Sequence, residues 1–109
     1  MPYDEGLAER VRGLLDGRSD VVDKRMFGGI AFLIAGNMAC GVSGDDLIVR
    51  VDHDESEALL AEPGARRFDM TGRPMKGWLL VAPEASADDA DLERWVRRGE
   101  EFAASLPPK

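Results

Sequence analysis

The chain has 109 residues and a mass of 11.9 kDa, which is the size of one folding unit, so we expect a single domain over residues 1–109. Hydrophobic residues make up 44% and charged residues 32%, a composition typical of a globular protein and unlike that of a disordered tail or a membrane span. The formal net charge of −7 opposes nucleic-acid binding through bulk electrostatics.

A single cysteine, Cys40, leaves no partner for an intramolecular disulfide and no thiolate cluster for zinc or iron–sulfur ligation. The first six residues lack the basic and apolar regions of a signal peptide, and no later segment is long and apolar enough to span a bilayer. We therefore expect a cytoplasmic protein with no membrane association.

Hydrophobic periodicity in the first half predicts one helix followed by four strands. Apolar residues recur at helical spacing from Leu7 to Leu15, and the helix is expected to end near Gly17. Strands are predicted at residues 21–27, 30–35, 38–42 and 47–51. Gly28-Gly29 predicts a bulge or tight corner and Gly36-Asn37 a hairpin turn, so this region is expected to form an antiparallel meander.

The second half is predicted to contain a short helix, two strands and a long final helix. Asp54 with Glu57 indicates a capped helix over residues 54–60, and strands expected to pair with each other follow at 65–70 and 76–82. Ser86 begins a capping-box variant, after which Trp95 and Phe102 follow a core-facing helical stripe. Gly99 and Ala103 in this last helix would permit close approach to another element.

The element order αββββαββα predicts an α+β fold, an antiparallel sheet with helices packed on one side. The strand at 30–35 is apolar on both faces, so the side opposite the helices is also expected to be covered. A homodimer partner and a curled sheet edge are the two alternatives for that cover.

His53 and Cys40 are the residues to weigh for catalysis or metal binding. His53 lies between Asp52 and Asp54, but neighbours in an extended segment point to opposite faces, which favours solvated polar residues with Asp54 capping the next helix. Cys40 lies in a small apolar strand, the setting of an inert buried thiol. We therefore expect no catalytic residue, no metal site and no cofactor.

Four basic groups are scattered among acidic residues, a pattern typical of a solvated surface. If they converged beside Phe27 and Trp78, they would form a local anion or nucleic-acid patch. The groups are Lys24-Arg25, Arg66-Arg67, Arg73 with Lys76, and Arg97-Arg98.

Several motifs in order resemble the TfoX N-terminal domain family, which takes its name from the TfoX/Sxy competence regulators. The first half carries KRMFGGIAF at residues 24–32, GNM at 36–38 and DLIVRV at 46–51. The second half carries GARRF at 64–68, RPMKGW at 73–78 and VAP at 81–83. The sequence departs from the family at residues 76–80, where members often have a Gly-Tyr aromatic segment and this chain has GWLL at 77–80.

The resemblance implies an α+β domain associated with the regulation of natural competence. Full-length members act as co-regulators of transcription, in some bacteria with the cyclic-AMP receptor protein, and they are not known as enzymes. They also carry a second, helical C-terminal domain, so this chain is expected to be a stand-alone N-terminal domain.

The leading hypothesis is a small cytoplasmic protein-interaction module linked to transcriptional regulation, with no enzymatic activity. Its partner is expected to be a regulator or the transcription machinery, and a homodimer is also considered. The predicted interaction surface consists of Arg25, Met26, Phe27 and Trp78. The alternatives are direct nucleic-acid binding through a basic patch, and a small-ligand-binding protein or enzyme with a pocket near Cys40 and His53.

Overall fold

A computed structural model of the chain describes residues 3–26, 28–68 and 77–108, with the side chain of Met26 left out. The helices in this part are α1 (Glu5–Leu15), α2 (His53–Leu59), α3 (Pro83–Ser86) and α4 (Asp89–Ser105). The strands are β1 (Val21–Met26), β2 (Gly29–Ile34), β3 (Asn37–Ser43), β4 (Asp46–Arg50), β5 (Ala65–Arg67) and β6 (Trp78–Val81). The predicted α+β fold is confirmed.

The strands form one antiparallel sheet with the order β1-β2-β3-β4-β6-β5. The first four strands are consecutive neighbours, as the predicted meander requires. The predicted pairing of β5 with β6 is also confirmed, but β6 lies between β4 and β5. The two ends of the sheet are therefore β1 and the three-residue strand β5.

The turns differ in detail from the sequence prediction. The β2–β3 turn is formed by Ala35 and Gly36, both with positive φ (51° and 86°), as a tight primed hairpin turn requires. Asn37, predicted in the turn, is instead the first residue of β3, where its buried amide donates a hydrogen bond to the Pro107 carbonyl oxygen at 2.9 Å. Gly28 has a φ of 75° at the corner between β1 and β2, which confirms the predicted tight corner.

Two predicted helix starts are wrong. Asp52 rather than Asp54 caps α2, because its carboxylate accepts the backbone N–H of Asp54 at 2.8 Å and a cap must precede the first helical residue. Ser86 does not begin the long helix, since it ends the separate short helix α3. Pro83, which has no N–H to leave unpaired, starts α3, and Asp88 caps α4.

The helices of the described part pack on one face of the sheet, as predicted. This face holds the nearly fully buried side chains of Phe32, Val49 and Leu79. Trp95 of α4 is only 1% exposed, and a Cβ atom at Gly99 would lie 2.2 Å from the carbonyl oxygen of Ala39. The expected close approach of α4 to the sheet is therefore confirmed.

The opposite face, here called the open face, carries the alternate residues of the same strands. Strand register pairs Leu33 with Met38 and Ile48 with Leu80 on this face. Ile48 is buried, Leu33, Met38 and Leu80 are half-buried, and Val22 at the β1 edge is 59% exposed. Among the described residues, the open face is thus a mostly apolar surface without a helix layer.

Candidate interaction surface

The structure separates two residues of the predicted interaction surface. Arg25 is exposed on β1 and pairs with Ile30 on the helix-covered side, whereas Trp78 lies on the open face in β6. Three strands, β2, β3 and β4, lie between them. The Met26 backbone pairs with Gly29, and Phe27 lies outside the described residues. Any surface that contains Trp78 is therefore built from other neighbours.

Trp78 belongs to a cluster of aromatic rings around one arginine, here called the Arg50 cluster and formed by Arg50, Phe68, Trp78 and Phe102. Arg50 faces Trp78 across the β4–β6 pair, and its guanidinium carbon lies 5.2 Å from the Trp78 ring centroid. The same carbon lies 5.3 Å from the ring centroid of Phe102 on α4, and the Phe68 and Trp78 centroids are 6.1 Å apart. Each cation–π contact at such a site contributes about 0.5–1 kcal/mol.

Arg50 differs from most arginines of the described part in its ionic partners. Arg50 and Arg25 form no ion pair or side-chain hydrogen bond with any described residue. The half-buried guanidinium of Arg50 therefore keeps hydrogen-bonding capacity toward solvent. The arginines that do pair with carboxylates are Arg10, Arg12, Arg18, Arg66, Arg67, Arg94, Arg97 and Arg98.

The strand residues give the open face an excess of positive charge. Lys24, Arg50 and Arg66 start on it by strand alternation, together with one carboxylate, that of Asp46, although the Arg50 guanidinium at the end of β4 also reaches Phe102 of α4. Arg66 pairs with Asp46 at 2.7 Å. This local balance is opposite in sign to the net charge of the whole chain, −7.

The scattered basic groups do not converge within the described residues. Lys24 and Arg25 lie in β1 at one end of the sheet, and Arg66 and Arg67 lie in β5 at the other end. The basic pair on α4 is held by carboxylates. Arg73 and Lys76 lie outside the described residues.

On the helix-covered side, Glu62 joins two arginines of α4. Its carboxylate oxygens lie 2.6 Å from Arg94 and 2.7 Å from Arg98. Burial disfavours the ionised form, but hydrogen bonds from Arg98 and Arg94 outweigh this effect and lower the pKa of Glu62. Arg98 also stacks on Trp95 at 4.7 Å, and its buried Nη1 lacks a hydrogen-bond partner in the described part. This arrangement ties α4 to the segment between α2 and β5.

The candidate catalytic residues lie in separate environments. Cys40 is fully buried within the core, and burial raises the pKa of its thiol to about 12, so the unreactive neutral thiol is the form present at neutral pH. His53 is exposed at the start of α2. Within residues 3–26, 28–68 and 77–108, no group of His, Cys, Asp and Glu is arranged to hold a metal ion.

A small cavity of about 190 Å³ lies beside α1, and neither Cys40 nor His53 lines it. Its two arginines are already paired: Arg12 with Asp23 and Glu9, and Arg18 with Asp20 and Glu100. The hydrogen bond to Asp23 is the main cause of a raised pKa for Arg12. The cavity therefore offers no free cation to an anionic ligand. It is lined by Arg12, Leu15, Asp16, Arg18, Val21, Asp23 and Phe32.

The part of the chain that the structure describes contains no helix with the length and apolar character needed to cross a bilayer.

The described part has the geometry of a class of small α+β domains in which helices cover one face of a single antiparallel sheet. The family profile of the TfoX N-terminal domain matches residues 13–103, most of the chain. The chain belongs to the TfoX N-terminal domain family, which confirms the resemblance. Searches of curated proteins and of solved structures give no significant match.

Proposed function

We propose that this protein is a cytoplasmic protein-interaction domain linked to transcriptional regulation, and that it binds its partner through the open face. Family membership supports the regulatory link, since the family resemblance implies a role in natural competence. The observation that carries the proposal is the open face itself. It combines half-buried apolar side chains, an exposed Val22 and the ring of Trp78, and Arg50 at the end of β4 links this ring to Phe102 of α4.

The open face suits a protein partner because several strands contribute partly exposed apolar side chains to it. Leu33 of β2, Met38 of β3 and Leu80 of β6 are half-buried and Val22 of β1 is exposed, whereas Ile48 of β4 is already buried. An apolar surface of this kind, with polar groups at its margins, is typical of protein–protein contacts. Aromatic and arginine side chains, here Trp78 and Arg50, are the types that contribute most at such contacts.

Charge favours protein over nucleic acid as the direct ligand. The net charge of −7 repels a polyanion, and the basic groups on β1 and β5 lie at opposite ends of the sheet. A nucleic-acid interface gains affinity from several neutralised phosphates, which needs converging cations. The proposal includes no catalytic activity, and the buried, protonated thiol of Cys40 supports this part.

The test is affinity capture from the native cytoplasm with the tagged protein, with the captured material divided and one half treated with nuclease. Trp78→Ala removes the aromatic ring of the surface, and Val22→Glu places a charge on an exposed open-face position where it leaves the core intact. Arg25→Ala is the matched control, because Arg25 lies on the other side of the sheet. Circular dichroism confirms that each variant is folded.

We expect the same proteins to be retained by the wild type and by Arg25→Ala in both halves, and to be lost with Trp78→Ala and Val22→Glu. Retention by all variants would place the binding surface elsewhere. Proteins that disappear after nuclease treatment would show that nucleic acid is the bridge and that the direct nucleic-acid alternative is correct.

A further inference from the structure

The Arg50 cluster has the form of a recognition site for a carboxylate. The guanidinium of Arg50 lies against the ring of Trp78 on the neighbouring strand β6 and against the ring of Phe102 on α4. These two rings restrict the orientation of the guanidinium plane. It forms no ion pair with the described residues, and its nitrogens are not among the buried unpaired atoms of this part. A planar guanidinium that is held in place but not neutralised can donate paired hydrogen bonds to a planar oxyanion.

We propose that Arg50 binds a carboxylate side chain of an amphipathic, acidic segment of the partner, whose apolar side chains cover the adjacent open face. The proposal rests on the function proposed above and names the chemistry of the partner. The apolar neighbours of Arg50 on this face are Ile48 in its own strand and Leu80 in β6. An occupant must therefore present apolar groups and an anion within one short segment.

The charges of the open face select an acidic peptide rather than a nucleic acid. Lys24, Arg50 and Arg66 are spread across the sheet from β1 to β5, and Asp46 neutralises Arg66. An acidic amphipathic helix needs only one carboxylate at Arg50. Its apolar side packs on the strands of the open face, as the helices of this protein pack on the opposite face. A nucleic-acid strand would need a continuous row of cations and would meet the repulsion of the acidic chain.

The test uses two synthetic amphipathic helices of about four turns. One carries leucines at helical spacing with flanking glutamates, and the other has glutamine at every glutamate position. Each is added to the ¹⁵N-labelled full chain, and the Arg50 Nε–H signal and the two tryptophan indole signals are followed by NMR. A Trp78→Phe sample assigns the indole signals. Inorganic phosphate and a thymidine oligonucleotide are the further probes.

We expect the glutamate peptide to shift the Arg50 and Trp78 signals and to leave that of the buried Trp95 in place. The glutamine peptide should bind about tenfold more weakly, the effect of one charge-assisted pair. Arg50→Gln should remove that difference between the peptides, Arg50→Lys should restore part of it, and Arg25→Gln should leave it unchanged.

Several results would overturn the proposal. Equal weakening of both peptides by Arg50→Gln would show that Arg50 only positions Trp78. Tighter binding of the oligonucleotide or of phosphate would assign the cluster to phosphate, and signals that shift on dilution of the protein alone would assign the face to a second copy. If neither peptide moves the signals while the capture experiment still depends on Trp78, the open face binds a partner but Arg50 does not recognise a carboxylate.

Discussion

The two faces of the sheet are made by alternate residues of the same strands, yet they differ in burial and in charge pairing. On the helix-covered face, Phe32, Val49 and Leu79 are almost completely buried. On the open face, Val22 is largely exposed and Leu80 is half-buried, while Arg50 has aromatic rings rather than carboxylates as neighbours. The comparison indicates that the first face supplies most of the folding free energy, which leaves the second available for binding.

A large effect on stability is expected where α4 meets the sheet. Gly99→Ala would place a methyl group 2.2 Å from the carbonyl oxygen of Ala39, a backbone atom that cannot move away alone. We expect the free energy of unfolding, measured by urea denaturation, to fall by about 1–3 kcal/mol.

Gly13→Ala is the matched control for this substitution. Gly13 also lies within a helix, but nothing lies within 4 Å of an added Cβ atom there. Because alanine favours helix more than glycine does, this variant should gain about 0.5–1 kcal/mol. Equal stability of the two variants would mean that α4 does not approach the sheet as closely as the structure has it.

Two neighbouring leucines of β6 allow the faces to be compared directly. Leu79 is buried under the helices and Leu80 lies half-buried on the open face. Leu79→Ala should lower the free energy of unfolding by about 2–5 kcal/mol, and Leu80→Ala by about 1 kcal/mol. Similar losses for both, measured by denaturant unfolding, would show that the open face of the protein in solution is covered as completely as the other.

The smallest effect concerns the ion pairs of the helix layer. The pKa of Glu62 is lower in the folded protein than its usual value of 4.5, because hydrogen bonds from Arg98 and Arg94 outweigh the cost of burial. Its contribution to stability is therefore present above about pH 4.5 and is lost as the pH falls through the folded pKa. For a partly exposed group this contribution is less than about 1 kcal/mol.

Glu62→Gln should accordingly be slightly less stable than the wild type at pH 7, and thermal unfolding should show the gap closing below pH 4.5. Glu101→Gln, an exposed position on α4, serves as the control and should match the stability of the wild type at pH 7. A gap for Glu62→Gln that stays constant on acidification would contradict the lowered pKa.

Much of the fold could be predicted because its elements are local. The hairpins join consecutive strands, and the apolar spacing around Trp95 is that of a long helix. The position of β6 between β4 and β5 could not be predicted, since periodicity shows which face of a strand is apolar but not which strand is its neighbour. The cap at Asp52 was missed because neighbouring acidic residues are equally good caps by sequence, and the cap at Asp88 was missed because Ser86, two residues earlier, is also a good cap.

The candidate site was only partly predictable. Trp78 was singled out from the sequence, but Arg50 was read only as part of a strand motif, and its contact with Phe102 joins elements far apart in the chain. The one local signal is a lone charged residue within the otherwise apolar run 47–51. Arg25 was grouped with Trp78 because sequence order does not show that three strands lie between them.

The position of α4 after the strands of the described part also bears on synthesis. Its last residue, Ser105, follows the end of β6 at Val81, so the sheet leaves the ribosome before the helix that covers it. At about 5–20 residues per second, the delay is about 1–5 seconds. During that time the open face and the part of the other face that α4 later covers both present apolar side chains, a condition that favours chaperone binding and self-association. Completion of α4 leaves only one such face.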